Sequence, residues 1–83
     1  MSANQILYFI AYNLGRPFEK LDPSWDLFND LGLNNMEKMD LIFRLENFLN
    51  IELNDAEIAD IRTIEDLCET CLLATSHQSL MEV

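Results

Sequence analysis

The chain has 83 residues, 49% of them apolar, which leaves room for one small domain with a single modest core and excludes a disordered chain. No apolar run is long enough to cross a bilayer. With 15 acidic against 5 basic residues the net charge is -10, a balance that opposes binding to nucleic acid or anionic membrane and favours protein partners with basic patches.

The first segment, "NQILYFIAYNLG", sets Ile6, Leu7, Phe9, Ile10 and Leu14 at helical spacing and stops at Gly15, which predicts a helix from about Ala3 to Leu14. It has no basic start, and Tyr8, Tyr12 and Asn13 interrupt its apolar residues, so it is not read as a secretory leader and a cytoplasmic protein is expected. "RPFEKLDPSWDLFND" follows with both prolines and no sustained period, and predicts a long loop. Its Phe18, Leu21, Trp25, Leu27 and Phe28 supply enough apolar surface to pack along a bundle.

Asn34 opens the second predicted helix, and Glu37 three residues later completes a capping box; Glu37 and Asp40 suit the positive end of the helix dipole. From Met36 to Leu49 the apolar set is wide: Met36, Met39, Leu41, Ile42, Phe43, Leu45, Phe48 and Leu49. Glu37, Asp40, Arg44 and Asn47 fall on one stripe, which is the natural docking face. Asn54 or Asp55 caps a short third helix through about Asp60. Thr63 caps a fourth, "IEDLCETCLLA", whose Ile64, Leu67, Cys68, Cys71 and Leu72 form a buried stripe. The expectation is an all-α protein: a small four-helix bundle, one domain over 1–83, with a core of about 3–73 and a flexible tail at 74–83.

Cys68 and Cys71 are too few for a closed zinc site and lack the βαβ setting of a redox pair, so they are read as small core hydrophobes. His77 has no evident partner, and no metal site is expected. Nor can a Ser-His-Asp set or a carboxylate pair in an apolar pocket be assembled, so no enzyme is expected.

"DLGLNNMEKMDLIFRLE", from Asp30 to Glu46, resembles the acyl carrier proteins, whose pattern is Asp-Leu-Gly, one residue, then Asp-Ser-Leu leading into an acidic second helix. Asp30, Leu31 and Gly32 match, Leu33 fills the variable position, and Asn34, Asn35 and Met36 stand where the family has Asp, Ser and Leu. "MDLIFRLENFLNIEL", "NDAEIADI" and "RTIEDL" extend the likeness, which covers roughly Ile6 to Leu72 and implies the four-helix bundle with a long loop between helices 1 and 2.

In that family the serine hydroxyl receives a phosphopantetheine arm that carries acyl chains as thioesters. Asn35 offers no hydroxyl, so the resemblance implies an attachment position left unmodified and no cofactor. Ser24 lacks a following helix and Ser79 sits a few residues from the end, so neither is expected to take over.

The family's acidic docking helix corresponds here to Glu37, Asp40 and Glu46, diluted by Lys38 and Arg44, with Asn47 and Phe48 where acids are common. The leading expectation is a non-carrier adaptor or regulatory protein, a monomer that docks to acyl-transfer or lipid or polyketide synthesis enzymes through helix 2. The alternative is a working carrier modified at another residue. Noncovalent lipid binding in a core softened by Met36 and Met39 is a further possibility.

Overall fold

The computed structural model describes residues 2–81, with side chains for 2–76. Among these residues the chain forms four helices: α1 (Ala3–Leu14), α2 (Asn35–Leu49), α3 (Asp55–Asp60) and α4 (Ile64–Met81). A 3-10 turn at Phe18–Lys20 interrupts the long loop after α1.

Each helix begins with the same device. A side chain at the cap accepts a backbone N–H three residues on, and the side chain there accepts the N–H of the cap. Ser2 pairs in this way with Gln5 and Asn54 with Glu57. Thr63 Oγ1 accepts the Asp66 N–H at 3.0 Å while Asp66 Oδ2 accepts the Thr63 N–H at 3.1 Å. Two donors that the helix cannot satisfy itself are thereby paired. Gly15 ends α1 at φ 68°, the left-handed conformation in which a side chain is strained.

The helices α1, α2 and α4 pack against one another around Ile6, Ile10, Ile42, Leu45, Ile64, Leu67 and Cys71, all fully buried. The long loop belongs to this core as expected, since Leu27 is also fully buried and Leu21, Trp25, Leu31 and Leu33 lie against it. It is stitched to the start of α4: the Leu27 N–H donates to Arg62 O at 2.8 Å and the Ile64 N–H to Trp25 O at 3.1 Å. Those bonds fix where the loop delivers the chain to α2.

Two expectations change. The segment from Ala74, read as a tail, is helical as far as Met81, because nothing from Ile64 onward breaks the helix: there is neither glycine nor proline. Met36 and Phe43 belong to the apolar set of α2 but are 82% and 53% exposed, since they lie on the same face as Asp40 and Asn47.

Cys68 and Cys71 are free, buried thiols. Burial pushes the Cys71 thiol up to about 12, with the neighbouring Cys68 and Glu46 adding to the shift, and burial likewise raises Cys68. An unfolded thiol ionises near 9 while the folded Cys71 holds its proton to about 12, so stability is fully present below pH 9 and falls as pH rises toward 12. Urea midpoints taken at pH 7 and pH 10 are expected to be lower at pH 10, and Cys71→Ala is expected to remove part of that slope. Equal slopes with and without the thiol would contradict this origin.

Candidate functional site

The Asp-Leu-Gly stretch is a turn before it is anything else. Asp30 Oδ2 accepts the Asp26 N–H at 2.7 Å, and Asp26 Oδ1 accepts the N–H groups of Asn29 at 2.9 Å and Phe28 at 2.8 Å. Those two backbone donors hold the Asp26 carboxyl below the usual carboxylate range. Leu31 packs against the core, and Gly32 takes φ 70°, which only glycine adopts without strain. The turn therefore fixes the direction in which residues 33–35 leave the loop.

Asn34 then caps α2. Its Oδ1 accepts the Glu37 N–H at 2.8 Å, and Glu37 Oε1 accepts the Asn34 N–H at 3.0 Å, as the sequence predicts. Such a cap contributes about 1 kcal/mol. Asn35 is the first residue of the helix and is exposed, so its carboxamide stands at the positive end of the helix dipole without serving as the cap.

Beside it runs an open groove of about 930 Å³ between the end of α1 and the first half of α2. Asn13 and Leu14 form one wall; Leu33 to Glu37, then Met39, Asp40, Leu41, Phe43 and Arg44, form the rest. None of these lining side chains carries a hydroxyl or a thiol.

The residues expected to dock a partner divide into three groups. Glu37, Asp40, Arg44 and Asn47 are exposed together on one face of α2. Within it Arg44 Nη2 lies 3.1 Å from Asp40 Oδ2, and Arg44 Nη1 donates to Asn13 Oδ1 at 3.0 Å, so the middle of the stripe is a neutral pair tied to α1. An ion pair this exposed adds little stability.

Lys38 does not belong to that face: it is 7% exposed. It stands three and four residues before Leu41 and Ile42 and seven before Leu45, so its stem runs along the core side. Its Nζ emerges 5.4 Å from the centre of the Phe28 ring. Glu46 is half-buried and used internally, its Oε2 accepting the Leu53 N–H at 2.8 Å to close the turn after α2. Phe48 is 48% exposed and stacks on Phe9 of α1, ring centres 4.2 Å apart.

Sequence reasoning missed Phe43 as a surface residue. The signal was present, because it follows Met36 by seven residues and Asp40 by three, and so shares their face.

Ser24, one of the two other serines considered, is not among the residues that line the groove. Ser24 Oγ donates to Asp22 Oδ1 at 2.7 Å in an exposed turn, and this bond, with the Ser24 N–H, holds the Asp22 carboxyl below its usual range. A phosphate ester on Ser24 would face that carboxylate. Ser79 falls in the last turn of α4, at the negative end of its dipole, and its side chain lies outside the described residues, as does that of His77. Among the described residues no group of three His, Cys, Asp or Glu side chains could hold a metal ion, and no helix is long and apolar enough to cross a membrane.

Residues 5–71 match the family model described as a phosphopantetheine attachment site. The chain is 30% identical over 63 residues to an acyl carrier protein of Syntrophobacter fumaroxidans, covering 76% of this chain and 78% of that protein. It is 28% identical over 69 residues to an acyl carrier protein of Phytoplasma mali, covering 83% of this chain and 82% of that one. The crystal structure of an acyl carrier protein from Thermotoga maritima superposes with a TM-score of 0.71 at 22% identity, covering 88% of this chain and 85% of that chain.

Proposed function

We propose that this chain, which belongs to the acyl carrier protein family, keeps the fold and the docking helix of a carrier while having lost the point at which the arm is attached. Acyl carrier proteins are carriers rather than enzymes, and what they carry hangs from a phosphopantetheine group. In this reading Asn35 stands at the attachment position and the chain serves as an adaptor or regulatory protein.

One observation carries the reading: the exposed first residue of α2 is an asparagine, and among the described side chains no hydroxyl or thiol lines the groove beside it. A carboxamide nitrogen, its lone pair delocalised into the carbonyl, is a poor nucleophile at any pH the fold tolerates. The residues at this place therefore do not fit a covalently held phosphopantetheine. The fold around them is intact, since the Asn34 and Glu37 cap and the Asp30 turn are fully formed.

The docking face has also shifted in kind. Glu37 is engaged in the cap and Asp40 in its pair with Arg44, and beside them the apolar Met36 and Phe43 are displayed on the same face, rimmed by polar residues. Apolar anchors within a polar rim are how most protein interfaces concentrate their affinity. The partners in this reading are acyl-transfer or lipid or polyketide synthesis enzymes that accept an apolar contact at the start of α2.

Phe43→Ser is expected to weaken capture of such an enzyme from the protein's own host about tenfold or more. Asp40→Lys is expected to weaken it less and in a salt-dependent way, and a substitution on the far side, Glu69→Gln, to leave it unchanged. Undiminished capture by both α2 variants would remove α2 as the docking face.

A further inference from the structure

A second surface lies outside the groove. Among the described helices α1 alone carries no Asp, Glu, Lys or Arg, although the chain as a whole bears a net charge of -10. Its outward side is aromatic instead: Tyr12 is 85% and Tyr8 56% exposed. Tyr8 stacks on Phe18 of the 3-10 turn with ring centres 3.9 Å apart, and on the other flank Phe9 stacks on Phe48 of α2 at 4.2 Å. Tyr12 stands three residues from Phe9 and four from Tyr8, and helical spacing makes it the neighbour of both. The two stacks and Tyr12 thus form one uncharged band across α1.

We propose that this band is covered by the same band of a second copy of the chain, related by a two-fold axis, in a weak homodimer. The proposal does not depend on the proposed function.

Three observations select that occupant. A basic partner is drawn to carboxylates, and α1 has none. The exposed polar groups of α1 are the Asn4 and Gln5 amides and the tyrosine hydroxyls, each both donor and acceptor, so the face can hydrogen-bond to its own copy as a charged face cannot. The exposed parts of Tyr8, Tyr12 and Phe48 offer on the order of 400 Å² per copy. With the flanking amides a pair then buries about 1,000 Å², at the lower limit for a specific interface, so the dimer is weak, with a Kd of about 0.1–1 mM.

Charge gives the dimer a distinguishing behaviour. Two copies of charge -10 repel, and salt shortens the reach of that repulsion from about 10 Å at 0.1 M to about 3 Å at 1 M, so association tightens as salt is added. Capture of a basic partner loosens under the same change.

The test is sedimentation equilibrium of the full chain, from about 10 μM to about 1 mM, a span that brackets a weak interface of this size, in low and high sodium chloride. A monomer–dimer equilibrium that tightens with salt is expected. Tyr12→Glu, which sets like charges near the axis, is expected to weaken it at least about tenfold. Tyr12→Ser is expected to weaken it by less. Tyr12 is exposed, so both Tyr12 variants are expected to fold, as circular dichroism checks. A single monomer mass throughout, an association that loosens with salt, or a dimer indifferent to both Tyr12 variants would overturn the proposal.

Discussion

Leu45→Ala is expected to cost about 3–4 kcal/mol, the range for truncating a fully buried leucine in a core that can only partly collapse. Leu45 has no exposed surface and lies in the same apolar cluster as Ile6 and Ile10 of α1 and Leu67 and Cys71 of α4. A domain of this size holds roughly 4–12 kcal/mol in all, so the variant would lose a large share of it. The melting temperature should fall by about 15 °C or more, at some 4–8 °C per kcal/mol for small domains. Phe43→Ala, two residues earlier and so on the opposite side of the helix, 53% exposed, should change stability by less than about 1 kcal/mol. Urea titration of the pair tests which face of α2 is inward. A small loss for Leu45→Ala beside a large one for Phe43→Ala would mean that the helix is turned the other way.

Asn35→Ser is expected to convert a chain that coenzyme A and a broad-specificity phosphopantetheinyl transferase leave unchanged into one that gains a single phosphopantetheine. Only the hydroxyl is missing in this account. Asn34 remains the cap, Glu37 still closes the box, and the exposed first position of α2 receives the new side chain without displacing anything. Serine costs little there, since it is itself a favoured residue at helix starts. Asn34→Asp combined with Asn35→Ser is expected to react faster, because it restores the Asp as well as the Ser of the family pattern. If neither variant gains mass while a normal carrier does in parallel, Asn35 is not the attachment position.

What could be read from the sequence is what is decided within a few residues. The end of α1 at Gly15, the box of Asn34 with Glu37 and the start of α4 at Thr63 depend on residues a few positions apart and are visible in the letters, whereas the letters leave the cap of α3 between Asn54 and Asp55. The family likeness rests on the same local order, and the bundle follows from it. The exposed face of α2 is legible in half: its polar stripe shows in the spacing of Glu37, Asp40, Arg44 and Asn47, while Lys38 is misplaced when read by its charge and not by its place in the core-facing row with Leu41, Ile42 and Leu45. Phe43 was assigned by its apolarity in the same way, although its spacing from Met36 and Asp40 puts it outside.

Other features depend on contacts far apart in the chain. The bonds from Leu27 to Arg62 and from Ile64 to Trp25, which aim the loop at α2, join segments that no periodicity links. The stacks of Tyr8 on Phe18 and Phe9 on Phe48 arise only when loop and helices have assembled, so the aromatic band has no signature in α1 beyond its missing charges.

The most direct test of the proposed loss of the attachment point is the intact mass of the unsubstituted protein. It should be measured as isolated from its own host and again after incubation with coenzyme A and the transferase. The account predicts the bare chain mass both times, while a normal carrier in the same reaction gains its arm. A gain of one phosphopantetheine on the unsubstituted chain would contradict it, make the protein a working carrier, and direct mapping to Ser24 and Ser79.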